Sequence, residues 1–340
     1  MRFVLRVMSV AAAVALSAAS EAGVKTDKSE PPSRLASFEI SRPVRKAEAI
    51  TARVTAAIEA VTGQKMERPA VIPPAMAQTM RRMRVTAGEA PGLQIVYLPE
   101  VDELRVVDSE LAVSTAPERE IKEDEARAVA KRTFDNLAKS KVLNAEDDAW
   151  DRADVGSTWV GGGSVDGKVD AGRKRVEYRV TARRVINRIE VANAGVRIAV
   201  HATGRVSGVR IGHVDVASRR TGNTEEPASG KGKWMERKVS IRDLDARFER
   251  EMAQQTGRPK VAWSKVMYVL PDDQRTAVVE PLYLVSYSLH VPTDDGEVAI
   301  SRRKTIGYSL TDPAAPPIDF TPPAKQHEVD KEKRTERPTS

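Results

Sequence analysis

Glu123-Asp124-Glu125-Ala126-Arg127-Ala128-Val129-Ala130-Lys131-Arg132-Thr133-Phe134-Asp135-Asn136-Leu137, followed further on by Val176-Glu177-Tyr178-Arg179-Val180-Thr181 and Val196-Arg197-Ile198-Ala199-Val200, decides the fold. In the first stretch Ala126, Val129, Ala130, Phe134 and Leu137 recur at helical spacing. The acids at 123–125 sit where the helix dipole favours negative charge, and Lys131, Arg132 and Lys139 lie toward the other end. The period then switches to two. Val176, Tyr178 and Val180 share one strand face against Glu177, Arg179 and Thr181, and Val196, Ile198 and Val200 repeat the pattern. Thr203-Gly204 supplies a turn and Val206 to Val216 returns. Strands that are apolar on one face and polar on the other form an antiparallel sheet covered on one side by a helix.

The same order appears on either side. Upstream, Ser41 and Pro43 predict a helix start, Ile50, Val54, Ala57, Ile58 and Val61 its buried face, and Gly63 its stop. A second helix over Ala75 to Arg84 aligns Met76, Met80 and Met83 as core packing. A hairpin follows, from Leu93–Leu98 through a turn at 99–103 to Leu104–Val107. Downstream, Ser240 with Asp243 forms a capping pair, Ile241, Leu244, Phe248 and Met252 form the apolar stripe, and Gly257 ends the helix. Strands are predicted at Val261–Leu270, Leu282–Val291 and Val298–Leu310, with a turn at Asp294-Asp295-Gly296. The predicted class is therefore α+β, made of repeated helix-plus-antiparallel-hairpin units, each a curved antiparallel sheet packed on a helix. The units span 38–116, 117–217 and 237–312, with a linker at 218–236, a flexible polar leader at 23–37 and a disordered tail at 313–340.

Residues 1–22 read as a signal peptide: Arg2 and Arg6, an apolar run from Val7 to Leu16, then small residues through Ser17-Ala18-Ala19-Ser20-Glu21-Ala22. The run is shorter than the roughly 20 residues of a membrane span. A periplasmic or secreted location is expected, with no transmembrane segment after signal removal. The chain contains no cysteine, which excludes disulfides, thiolate metal sites, a cysteine nucleophile and a lipobox cysteine. Its net charge is +7, and +6 once Arg2, Arg6 and Glu21 leave with the signal segment. Export and the 4% aromatic content argue against a nucleic-acid partner.

Catalytic motifs are missing. The four histidines, His201, His213, His290 and His327, form no helical His-Glu-x-x-His pair. His201 and His290 fall on the polar parity of their strands, and His213 shares parity with Val209 and Ile211. No Gly-x-Ser-x-Gly elbow is present, and Gly161-Gly162-Gly163-Ser164 lacks the lysine of a phosphate-binding loop. Glu146, Asp147, Asp148, Asp151 and Asp154 lack the spacing and central glycine of a calcium loop. Two basic clusters, Arg81-Arg82 with Arg84 and Arg302-Arg303-Lys304, read as solvated faces. No catalytic, cofactor-binding or metal residue is assigned and no cofactor is expected. The features with binding potential are the strands Leu93–Leu98 and Leu282–Val291, either of which could accept an extended peptide if it lies at a sheet edge.

Ile121-Lys122-Glu123-Asp124-Glu125-Ala126-Arg127-Ala128-Val129-Ala130 resembles the helix opening of PepSY-type domains. The hairpin of Arg184 to Val191 followed by Val196 to Val206 is similar to the associated strands, with Arg188 where that family commonly has glycine. The unit over 38–116 resembles the propeptide module that precedes PepSY in thermolysin-like and fungalysin-like precursors. The unit over 237–312, with Pro281-Leu282-Tyr283-Leu284-Val285, resembles a second PepSY copy. The resemblance implies a non-catalytic module whose protein partner is a peptidase. With a disordered tail expected after 312 and no protease domain in the chain, it implies a free-standing inhibitor or chaperone. The alternatives are a structural envelope component whose basic surface associates with anionic polymers and, behind it, an enzyme without a recognisable motif. The oligomeric state is left open.

Overall fold

The alternation over 176–206 becomes the centre of a large sheet. The computed structural model describes residues 25–26, 30–66, 92–112, 117, 119–143, 150–163, 170–221, 224–271, 274–292, 298–300 and 303–321. It is mixed α+β, with more strand than helix. In chain order the elements are β1 (Lys25–Thr26), β2 (Arg34–Ala36), β3 (Phe38–Ser41), α1 (Ala47–Thr62), β4 (Leu93–Leu98), β5 (Glu103–Asp108), the single turn α2 (Ser109–Ala112) and α3 (Glu123–Lys139). There follow β6 (Asp154–Gly163), β7 (Asp170–Ile186), β8 (Ile189–His201), β9 (Val206–Gly212), β10 (Asp215–Val216), β11 (Ser218–Thr221), β12 (Thr224–Pro227) and β13 (Trp234–Glu236). The chain continues through α4 (Ile241–Met252), β14 (Arg258–Tyr268), β15 (Thr276–Val279), β16 (Pro281–Pro292), β17 (Val298–Ile300), β18 (Lys304–Ser309) and β19 (Ile318–Asp319).

One 12-stranded sheet carries most of these strands. Its first part is antiparallel in the order β6-β7-β8-β9-β5-β4, and its second part runs β14-β16-β18-β19. The two parts join where the end of β14 lies parallel to the start of β8, Met267 opposite Glu190 and Tyr268 opposite Val191. Each part has its own core. On the first, Ile50, Val54 and Ile58 of α1 and Ala126, Ala130, Phe134 and Leu137 of α3 pack on Ile95, Leu104, Val106, Tyr178, Val180, Ile198 and Val209. On the second, Leu244, Phe248 and Met252 of α4 pack with Tyr268, Tyr283, Val285 and Tyr308, together with Phe38 and Ile40 of β3.

Some local helix signals are used as read, whereas α4 ends at Met252, with Ala253 as its cap, and not at Gly257. Gly63 ends α1 at φ 71, its amide donating to the Glu59 carbonyl at 2.9 Å. The Lys122 amide donates to Glu125 Oε2 at 2.9 Å at the start of α3. Ser240 Oγ accepts the Asp243 amide at 3.1 Å at the start of α4.

Elsewhere the structure differs from the sequence reading. Ser41 does not cap α1: it is the last residue of β3, opposite Asp215 and Thr276, and the helix begins after Lys46 without a side-chain cap. Part of the expected leader is core. Leu35 and Ala36 are buried, and β2 pairs with β13 from the expected linker. That linker also forms the hairpin β11–β12. Gly232 passes so close to Ser37, between β2 and β3, that a Cβ there would meet the Ser37 carbonyl oxygen at 2.1 Å, so its glycine serves a close approach. The expected tail begins with β19, which pairs with β18. The helices at 47–62 and 123–139 share one core instead of each packing on a sheet of its own. The predicted helix at 75–84 with its Met stripe, the turn at 294–296 and the signal segment lie outside the described residues.

Candidate functional site

The two strands singled out for peptide pairing have different fates. β16 is internal, hydrogen-bonded to β14 on one side and to β18 and β17 on the other, so Leu282–Val291 offers no edge. β4 ends the sheet path, and among the described residues it pairs with β5 alone. The Ser109 amide donates to the Gly92 carbonyl at 2.7 Å, which fixes the phase of the ladder. Antiparallel alternation then turns the peptide groups of Gln94, Val96 and Leu98 toward β5 and those of Leu93, Ile95 and Tyr97 toward the free edge. The side chains of Leu93, Ile95 and Tyr97 are buried in the core, while Gln94, Val96 and Leu98 lie on the outer face.

A buried ion cluster anchors this edge. Asp102, in the turn that links β4 to β5, is fully buried at φ 43. Its carboxylate accepts from Arg45 Nε at 2.7 and 2.9 Å, from Arg53 Nη1 at 2.7 Å and from the Tyr97 hydroxyl at 2.9 Å. Arg53 stands on α1 and its other Nη reaches the Ile211 carbonyl of β9 at 3.5 Å. Burial lowers the Arg53 pKa, and the Asp102 charge opposes that shift. The Tyr97 hydroxyl is pushed well above its ordinary range, by burial first and by the adjacent Asp102 charge second. Hairpin, helix and neighbouring strand are thus tied at one carboxylate. The edge is presented on a rigid frame.

The outer face of the same sheet is strongly charged. Arg105, Arg210 and Arg197 are direct cross-strand neighbours on β5, β9 and β8, and the row continues through Thr181 to Asp154. Leu104, Val106, Val209, Ile211, Val196 and Ile198, at the alternate positions, belong to the core beneath. Glu103 pairs with both Arg105 and Arg210. Glu177 holds Arg179 at 2.8 Å, and Arg183 lies 2.7 Å from Asp154 and 3.0 Å from Glu190. Lys265 also pairs with Glu190.

The remaining sequence candidates do not converge. His201 is buried although it holds the polar parity of β8, and its Nδ1 accepts the Thr203 amide at 3.2 Å and contacts the Thr203 hydroxyl at 2.9 Å. His213 lies beyond β9, its Nε2 3.1 Å from Asp215. His290 sits in β16 opposite Arg258 and Ile300. Asp154 serves the Arg183 ion pair, and Asp151 lies in a single 3₁₀ turn at Trp150–Arg152. Glu146, Asp147, Asp148, Ser164, His327, Arg302 and the Arg81-Arg82-Arg84 cluster lie outside the described residues. No group of three or more His, Cys, Asp or Glu side chains is placed to hold a metal ion among the described residues. No helix among them is long and apolar enough to cross a membrane.

No protein-family model matches the chain, and no curated protein matches it. Among solved structures it is similar to an uncharacterized protein from Eubacterium rectale, whose crystal structure was determined at 1.45 Å. That similarity has 10% identity and a TM-score of 0.48, covering 84% of this chain and 88% of the other.

Proposed function

We propose that this chain is an exported, non-enzymatic binding protein of PepSY-like and propeptide-like α+β units, acting in the periplasm or outside the cell. Its partner is another envelope or secreted protein, a peptidase, which it inhibits or chaperones as a free-standing module. The observation that carries the proposal is β4, whose backbone is unpaired on one side among the described residues and whose frame is fixed by Asp102. An extended segment of the partner would add to the sheet as the next strand, its main chain bonding to Leu93, Ile95 and Tyr97 and its outward side chains lying beside Gln94, Val96 and Leu98.

The test is capture from the source cell's envelope and secreted fractions by the purified mature protein, read by mass spectrometry. Enrichment of one peptidase whose activity falls on titration is the expected result. Val96→Lys, which places a charge on the outer face of the edge and opposes strand pairing, should weaken capture without unfolding the protein. Failure of the wild-type protein to retain any secreted or envelope protein would sink the proposal.

A further inference from the structure

We propose that the outer face of the first part of the large sheet is a binding site for a compact dianion of the phosphate type, centred on Arg197. Three guanidinium-bearing positions, Arg105, Arg210 and Arg197, stand side by side on adjacent strands, about 4.8 Å from one to the next. The rows on either side carry little side chain on the two central strands, with Glu103 and Arg183 at the ends of one and Val107 and Arg179 at the ends of the other. Gly212 and Gly195 are cross-strand neighbours on one flank, and Gly208 and Ala199 on the other. Arg210 and Arg197 therefore stand between glycine or alanine neighbours along their own strands, with α1 and α3 packed on the opposite face.

The charges on this face do not balance. Arg105, Arg179, Arg183, Arg197, Arg210 and Lys265 face Glu103, Glu177, Glu190 and Asp154, an excess of two cations. The excess falls at the centre. Each of the other five cations has a carboxylate partner, whereas Arg197 donates from Nε to Thr181 Oγ1 at 3.3 Å and meets no carboxylate among the described residues. A guanidinium presents its donors in a planar fork suited to an oxyanion. Burial, then repulsion from Arg210, Arg183 and Arg179, pushes the Arg197 pKa down to about 10, with Glu103 offsetting only part of the shift. A bound dianion would remove that repulsion and supply the missing counter-charge. This inference is independent of strand addition at β4, because Arg197 lies three strands in from that edge.

Thermal unfolding of the mature protein in inorganic phosphate, with potassium chloride of equal ionic strength as the reference, tests it. Phosphate should raise the melting temperature above the chloride reference in a saturable way. Arg197→Met should still fold, because it removes a charge that has no carboxylate partner, and should weaken the apparent affinity by about tenfold or more. Arg197→Lys should recover part of the response. Arg219→Met, an exposed substitution on the β11–β12 hairpin, should leave it unchanged. A parallel titration with glycerol 1-phosphate distinguishes free phosphate from an esterified phosphoryl group: a response to inorganic phosphate alone assigns the former, a response to both the latter. Equal effects of phosphate and chloride on the wild-type protein, or a wild-type phosphate response in Arg197→Met, would overturn the proposal.

Discussion

Asp102 is the residue on which the edge hairpin depends. It is fully buried and accepts from two arginines and a tyrosine, so its removal strands two guanidinium groups without a counter-charge. Asp102→Ala should therefore destabilise the protein by roughly 3–5 kcal/mol, measured by denaturant unfolding. A loss below 1 kcal/mol would mean that water replaces the carboxylate and that the frame is not rigid. A second residue acts in the opposite direction. Asn187 and Arg188 connect β7 to β8 with φ values of 48 and 71, the left-handed pair of a tight hairpin turn. Arginine bears a Cβ penalty there that glycine does not, and glycine has a compensating entropic cost. Arg188→Gly should stabilise by about 0.5–1 kcal/mol. Arg152 donates to the main-chain oxygen of residue 188 at 2.8 Å, so that bond survives the change. That Asn187-Arg188 falls between two alternating strands is visible in the sequence alone. Asp102 is not, because a lone acid in a turn gives no hint that Arg45, Arg53 and Tyr97 will close around it.

Elements whose signals are local were the ones that could be read. α4 carries Ser240 and Asp243 at its start and Ile241, Leu244, Phe248 and Met252 along one side, and all four apolar residues are buried. Ser240→Ala should cost about 1 kcal/mol by removing the acceptor for the Asp243 amide, and Ser240→Asp should restore it. No change in either variant would show that the packing of Phe248 against Tyr287, rings 5.2 Å apart, holds the helix without its cap. Long-range pairings were hidden. Leu35 and Ala36 look like part of a polar leader because their partners, Trp234 and Met235, lie about 200 residues away. The same holds for the outer face. Alternation tells that Arg105, Arg197 and Arg210 point away from the core, but only the register between β5, β9 and β8 makes them neighbours. Likewise β4 and β16 both read as strands, and the order of the sheet decides which of them is an edge.

At the scale of the whole molecule, the first part of the large sheet and the connection into the second core each hold a histidine whose titration links pH to folding. His201 is packed at the end of β8 and His213 lies between β9 and β10, the passage from one core to the other. Both have a pKa below the ordinary value. For His201 burial is the main cause, with Arg205 adding to it and Glu177 and Asp108 opposing. For His213 burial is again first, then Arg45, against Asp215 and Asp102. The unfolded chain takes up these protons near pH 6.5, whereas the folded protein resists them until the pH is lower. Below pH 6.5 the unfolded state consequently binds more protons, and stability falls as the pH drops toward the folded values. Above pH 6.5 both states are neutral at these sites and their contribution is complete. The melting temperature should be nearly flat from pH 8 to 7 and decline from pH 7 to 5.5. Each histidine contributes at most about 1.4 kcal/mol per pH unit. His201→Gln combined with His213→Gln should flatten that decline, whatever the double substitution does to stability at pH 8. A decline of unchanged slope in the double variant would move the acid sensitivity to the carboxylates of the ion pairs and leave the two histidines without a part in it.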